Sequence, residues 1–332
     1  MRHAWIIAAT ILAAGLLTTT LAGATSEAHP DTTFAWRTGA IETLATMPDA
    51  DALVTAAGLA RSLPDGASRS LSLLDRAAAL APKAADIGLL DVAQCSTQPG
   101  CDVLSREARV RGIDPQNGDA WMAALHNASE HSDQARIDDA LSNMAHSTYF
   151  NFYFASLGRR FINGLNRVPL PLGGPADHAD TPEAQRQVQA MGMVAALAIP
   201  AMQDLVHACK PGSSASESRR ETCRAIATSM ERGDTLIANM VGLRLHEWST
   251  RDAADRAEAL VQRRRLQWRM HQLHTITGTP ALPPTKQVTT MLAHEREADS
   301  IDAMLADAGR PLEPPADWQP PQPQSAHAPA CS

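Results

Sequence analysis

The sequence predicts an all-α protein: a short array of helical hairpins, then a helical bundle, then a loose C-terminal tail. Three observations carry that prediction. Aromatic residues make up only 4% of the 332 residues, while Ala, Leu and Met are plentiful and Val and Ile sparse. Small and straight-chain side chains lose little rotamer freedom in a helix. Apolar residues recur at i, i+3, i+4 and i+7 in one segment after another. Finally, Leu80-Ala81-Pro82 returns 33 residues later as Ile113-Asp114-Pro115, and Asp86 is echoed by Asp119 at the same offset. A helix, a tight turn and a second helix within such a period is the layout of a helical repeat.

Residues 1–24 read as a signal peptide. Arg2 precedes an uncharged run from Ala4 to Thr20, and Ala22-Gly23-Ala24 forms a small-residue cleavage site, so the mature chain is expected to begin near Thr25. The rival reading is a retained anchor, since about 20 uncharged residues can just span a bilayer. With the leader removed the chain is expected in the periplasm or secreted, away from the membrane. Five cysteines fit an oxidising compartment. Sequence locality pairs Cys95 with Cys101 and Cys209 with Cys223, each pair closing a turn between two helices. Cys331 is left over near the end, where it would allow a reducible dimer.

The net charge is −7, with 17 acids and 11 bases in residues 25–166 and 16 of each in 180–310. No stretch is basic enough to neutralise phosphates, which argues against nucleic acid as a partner.

Taken in order, Asp31 to Leu63 reads as two Ala-rich helices broken at Pro48, with Pro64-Asp65-Gly66 closing the second. Ser68 is the expected cap of the next helix, with Leu71, Leu74 and Ala78 as its apolar stripe. Ile87 and Leu90 open a fourth helix that stops at Pro99-Gly100. Cys101, Leu104 and Ala108 mark a fifth. Trp121, Ala124, Leu125 and Ala128 mark a sixth, and Ile137, Ala140, Leu141 and Met144 a seventh, capped by Ser132.

These residues bring a family into view. Ser70, Leu74, Ala77 and Pro82, with Trp121 as the opening aromatic of the next unit, give residues 68–146 a pattern that resembles tetratricopeptide repeats. Ala124, Leu125 and Ala128 stand where Leu, Gly and Tyr are expected, and Glu107 takes a large apolar position. The resemblance implies stacked helical hairpins and carries no binding residue with it.

Residues 149–161 hold four of the five Phe and both Tyr. On one helix Phe150, Phe154, Leu157 and Phe161 would share a face, as core or as an aromatic ligand platform. Tyr149 and Tyr153 lie toward the edge of that face, and with Trp121 they are the residues expected to meet a partner. Arg167 to Pro175 breaks the helical pattern, so 25–166 reads as the TPR-like repeat region and 167–180 as a Pro/Gly linker. Residues 181–310 read as a bundle of about five helices: a start at Thr181-Pro182-Glu183, an interruption at Pro200, a long helix from Cys223 to Trp248, another from Ser249 or Thr250 to Thr275, and a last from Thr285 to Ala308. Residues 311–332, with seven Pro, read as a disordered tail.

Catalytic patterns are scarce. His246-Glu247 and His294-Glu295 begin like a zinc-protease helix, but Thr250 and Ala298 stand where the second His is needed. His271 and His274 have a metal-compatible spacing, yet two ligands are not a site. Arg263, Arg264 and Arg265 must point in different directions around a helix and read as a solvated, ion-paired face. No cofactor and no catalytic or metal-binding residue is expected. The leading expectation is an exported scaffold or adaptor that binds another envelope protein. The alternative is an envelope hydrolase built on the second half, which stoichiometric zinc or iron in the pure protein would favour.

Overall fold

The computed structural model describes residues 30–170, 181–197, 202–212 and 216–321. The leader, Pro200, Cys331 and most of the 167–180 segment lie outside them. Among the described residues there are fifteen α-helices and no strand. They are α1 (Pro30–Ala45), α2 (Ala50–Arg61), α3 (Gly66–Leu80), α4 (Ala85–Cys95), α5 (Val103–Ile113), α6 (Met122–Glu130), α7 (Gln134–Ala145) and α8 (Phe154–Leu165). After the Pro/Gly segment follow α9 (Pro182–Leu197), α10 (Gln203–Cys209), α11 (Glu217–Met230), α12 (Leu236–Ser249), α13 (Ala253–Ile276), α14 (Pro284–Ala293) and α15 (Glu297–Asp307). No helix among the described residues is long and apolar enough to cross a membrane.

Helix starts follow local chemistry, though not always at the expected residue. Asp49, Asp102 and Asp133 accept hydrogen bonds from the first-turn amides of α2, α5 and α7. Asp133 displaces Ser132, which instead takes a left-handed φ of 53°. Ser68 caps nothing, since α3 begins two residues earlier. Of the expected stripe Leu74 is buried, with Ser70, Leu73 and Ala77, while Ala78 packs half-buried against the core and Leu71 is only half-buried. Asp252, not Ser249 or Thr250, caps α13 through the amides of Ala254 and Asp255 at 2.8 and 2.9 Å.

The second half holds more helices than expected because two long helical patterns are each broken in the middle. The stripe from Cys223 to Trp248 is split into α11 and α12 by Arg232-Gly233-Asp234-Thr235. A Cβ on Gly233 would lie 2.6 Å from the Phe150 carbonyl oxygen, so the chain turns where only Gly fits. Asn239 closes that turn by donating to the carbonyls of Met230, Glu231 and Gly233 at 3.0–3.2 Å. Thr285 to Ala308 likewise divides at 294–296 into α14 and α15.

Both cysteine pairs are bonded as expected, Cys95 to Cys101 and Cys209 to Cys223, with Cα atoms 5.5 and 5.7 Å apart.

The core is not divided at 167–180. One buried cluster joins Ile41, Leu53, Leu74 and Ile87 to Phe161, Val194, Leu243, Leu273 and Ile301, and so draws on both halves. A second joins Leu125, Leu141, Met144, Phe150 and Phe152 to Leu205, Ile226, Met230 and Leu245. The expected split into a repeat region and a bundle is thus a boundary in sequence and not between cores. The apolar stripe of each half is wide enough to be shared, and sharing removes more of it from water than two separate cores would.

Aromatic residues 149–161 supply much of that shared core. Phe150 and Phe161 are fully buried and Phe154 nearly so, as the core reading requires. They do not lie on one helix, because α8 starts only at Phe154; Phe150 and Phe152 precede it outside any helix and pack edge to face at 5.7 Å. The local cause is Asp234, whose carboxylate accepts from the amides of Phe152 (2.8 Å) and Phe154 (3.1 Å) and fixes the helix start.

Candidate peptide-binding face

The longest helix, α13, buries Ala259, Leu266, Leu273 and Ile276 on one side. Its three consecutive Arg do diverge. Arg263 turns to the buried Glu247 of α12 at 2.9 Å, which Arg244 also reaches at 2.5 Å. Arg264 and Arg265 turn the other way, onto the C-terminal segment, and form with Trp268, Arg269 and His271 a single face.

Residues 311–321 are ordered on that face, contrary to the disorder expected of them. The segment leaves α15 at Gly309, whose φ is 62°, with the Arg310 amide donating to the Leu305 carbonyl at 2.8 Å. Pro311 then prevents the helix from resuming. Trp268 Nε1 donates to the Pro311 carbonyl at 3.0 Å and Arg269 Nε to the Leu312 carbonyl at 3.4 Å. Arg264 Nη2 meets the carbonyls of Pro315, Ala316 and Trp318 at 2.5, 2.9 and 2.7 Å, and its Nε donates to Trp318 at 3.0 Å.

Two side chains complete the contact. Glu313 accepts from Arg265 Nε at 2.8 Å. The Trp318 ring stands edge-on to Trp268 at 5.2 Å, with His271 6.2 Å away. Leu312 reaches the main core. The guanidinium of Arg264 thus collects three main-chain oxygens where the segment folds into a turn, which the Trp318 amide closes onto Pro315 at 3.1 Å.

The chemistry suits the sequence of the segment. Five of its eleven residues are Pro, which cannot donate, so its carbonyls are the groups on offer and Arg and Trp N–H groups the natural readers. The signal for this was present in the composition: disordered segments are poor in large apolar residues, yet Leu312 and one of the six Trp stand in this stretch.

The residues expected to face a partner are placed differently. Trp121 is half-buried, with the Arg111 guanidinium 4.3 Å over its ring. Tyr149 and Tyr153 are also half-buried, and both hydroxyls donate to the carboxylate of Asp114. Burial, and then Asp114, pushes the Tyr149 phenol up to about 12 and that of Tyr153 higher still, so both stay protonated as donors. Their hydroxyls are engaged within the chain.

His271 lies beside Trp268 and Trp318, while His274 is exposed. Among the described residues no group of three His, Cys, Asp or Glu is arranged to hold a metal ion. Burial raises Asp119 well above the carboxylate range and leaves its Oδ1 without a partner among the described residues, whereas two further shifted acids are taken up by backbone amides. Burial pushes Asp234 up to about 6 and Glu297 up to about 7, and Glu297 accepts from the Leu236 amide at 2.7 Å. Glu297 also lines a cavity of about 10 Å3 with Gln287 and Met291, the room of roughly one water.

Comparison of the chain with protein-family models, with curated proteins and with solved structures gave no match.

Proposed function

We propose that this protein is an exported helical scaffold whose α13 face holds a Pro-rich, turn-forming segment of another envelope protein. The observation that carries the reading is the main-chain readout of residues 311–321 by Arg264, Trp268 and Arg269. Donors set over an aromatic surface suit a Pro-rich chain, whose carbonyls are the groups on offer.

Further features support the reading. Two bonded cysteine pairs suit an oxidising compartment. The leader-like residues 1–24 suit export. The tetratricopeptide-like pattern of 68–146 suits an architecture that presents surfaces to other proteins, which is an argument from analogy.

The test is chemical crosslinking in native periplasm followed by capture of the protein, run with wild type and Arg264→Ala. A partner captured by wild type should be lost from Arg264→Ala while the two proteins melt alike. Equal capture by both would remove α13 from the function.

A further inference from the structure

Resting on the reading of α13 as a peptide-binding face, we propose that residues 311–321 are a built-in occupant of that face, which a foreign Pro-rich segment with the spacing Glu-Pro-Pro-x-x-Trp displaces.

The contact has the form of a ligand in a site rather than of a core element. Seven of the eleven residues are exposed, and only Leu312, Pro314, Trp318 and Pro320 are half-buried. The principal polar contacts made by α13 go to main-chain carbonyls, apart from the Glu313 carboxylate. A main-chain readout does not require the segment to belong to this chain. It asks for a Pro-rich stretch that makes the same turn and presents its carbonyls to Arg264, one acid for Arg265 and one indole for the slot beside Trp268 and His271. Glu313 and Trp318 meet those needs at a separation of five residues.

Prolines lower the ordering cost of such a ligand, because each fixes its own φ before binding. Arg264 and Arg265 give the face a positive charge, Arg269 being paired with Asp302 at 3.1 Å, and Glu313 lies against it, so the foreign segment should carry an acid at the same place. Leu260 and Val261, each 43% exposed, stand about one turn before Arg264 and offer apolar surface to a segment that continues past the turn.

Displacement is feasible because the occupant is held at the surface. Tethering raises its effective concentration to the millimolar range without tightening any contact. A foreign segment with more contacts, or at sufficient local concentration, takes its place.

The experiment uses the full chain and a fluorescein-labelled peptide of residues 311–321, read by anisotropy. Three proteins are compared: wild type, a released form carrying Glu313→Ala and Trp318→Ala, and the released form with Arg264→Ala added. The released form should bind the peptide about tenfold more tightly than wild type, and Arg264→Ala should abolish binding. A peptide with both Glu and Trp replaced by Ala should bind none of them.

Equal, Arg264-dependent binding to wild type and released form would overturn displacement and leave the peptide-binding face standing. Absence of binding to a released form that melts as wild type does would overturn both, and so would a released form that fails to fold, since the segment would then be part of the core. A dimer of wild type that excess peptide dissociates would show that the second occupant is another copy of this chain, and would overturn the foreign partner.

Discussion

At the scale of single residues, buried carboxylates organise this protein. Glu107 is fully buried at a position where an apolar residue was expected, and it accepts from the amides of Ala123 (2.7 Å) and Ala124 (3.0 Å) and from Arg111 (2.6 Å). Restoring the repeat pattern with Glu107→Leu should therefore destabilise, by about 3 kcal/mol, because two amides and a guanidinium lose their acceptor. Urea unfolding measures this, and a more stable variant would refute it.

Asp234 and Glu297 act similarly at the starts of α8 and α12, and burial holds their protons to about pH 6 and 7. In the folded state each binds its proton more tightly than in the unfolded chain. Their contribution is thus complete below the ordinary carboxylate range and is lost as pH rises through 6 to 7, by roughly 3 kcal/mol for Glu297. The melting temperature should fall by several degrees between pH 5 and pH 8, and Glu297→Gln should flatten that fall. A melting temperature that rises over this interval would contradict the assignment.

At the scale of elements, the aromatic stretch and the cysteine pairs decide how neighbouring helices meet. Phe161 is fully buried among α2, α8 and α9 residues, so Phe161→Ala should cost about 3–5 kcal/mol. Tyr153→Ala should cost less, since it removes one phenol from Asp114 and leaves the amide contacts of Asp234 in place. Thermal melts of the two variants test the order, and an unchanged melting point for Phe161→Ala would refute the core assignment. The Cys209–Cys223 bond ties α10 to α11 across 14 positions of chain. Replacing both with Ala should lower stability by about 3 kcal/mol, as read by denaturant titration of oxidised protein.

At the scale of the whole molecule, the halves on either side of 167–180 share two cores. Arg159 of α8 adds a polar tie across them, donating to the Leu292 carbonyl of α14 and to the Glu295 carboxylate, both at 2.8 Å. A shared core couples the unfolding of its contributors, so far-ultraviolet circular dichroism and tryptophan fluorescence should report one coincident transition in urea. Two separated transitions would show instead that the halves unfold as independent domains.

Helical class, most helix positions and both cysteine pairs were legible in the sequence by itself, because composition, period and turn residues act over a few neighbours. Breaks at Gly233 and at 294–296 were not legible, since each is imposed by a contact from elsewhere: the Phe150 carbonyl in one case, and in the other the seating of Glu297 on the Leu236 amide. Glu107 stood out in the sequence as a mismatch, but its partners lie sixteen and seventeen residues away across a turn. The C-terminal segment is the clearest case. Proline content alone says that residues 311–321 cannot pair with themselves in a helix. Only the tertiary structure, by bringing α13 alongside the end of α15, supplies the donors that order them.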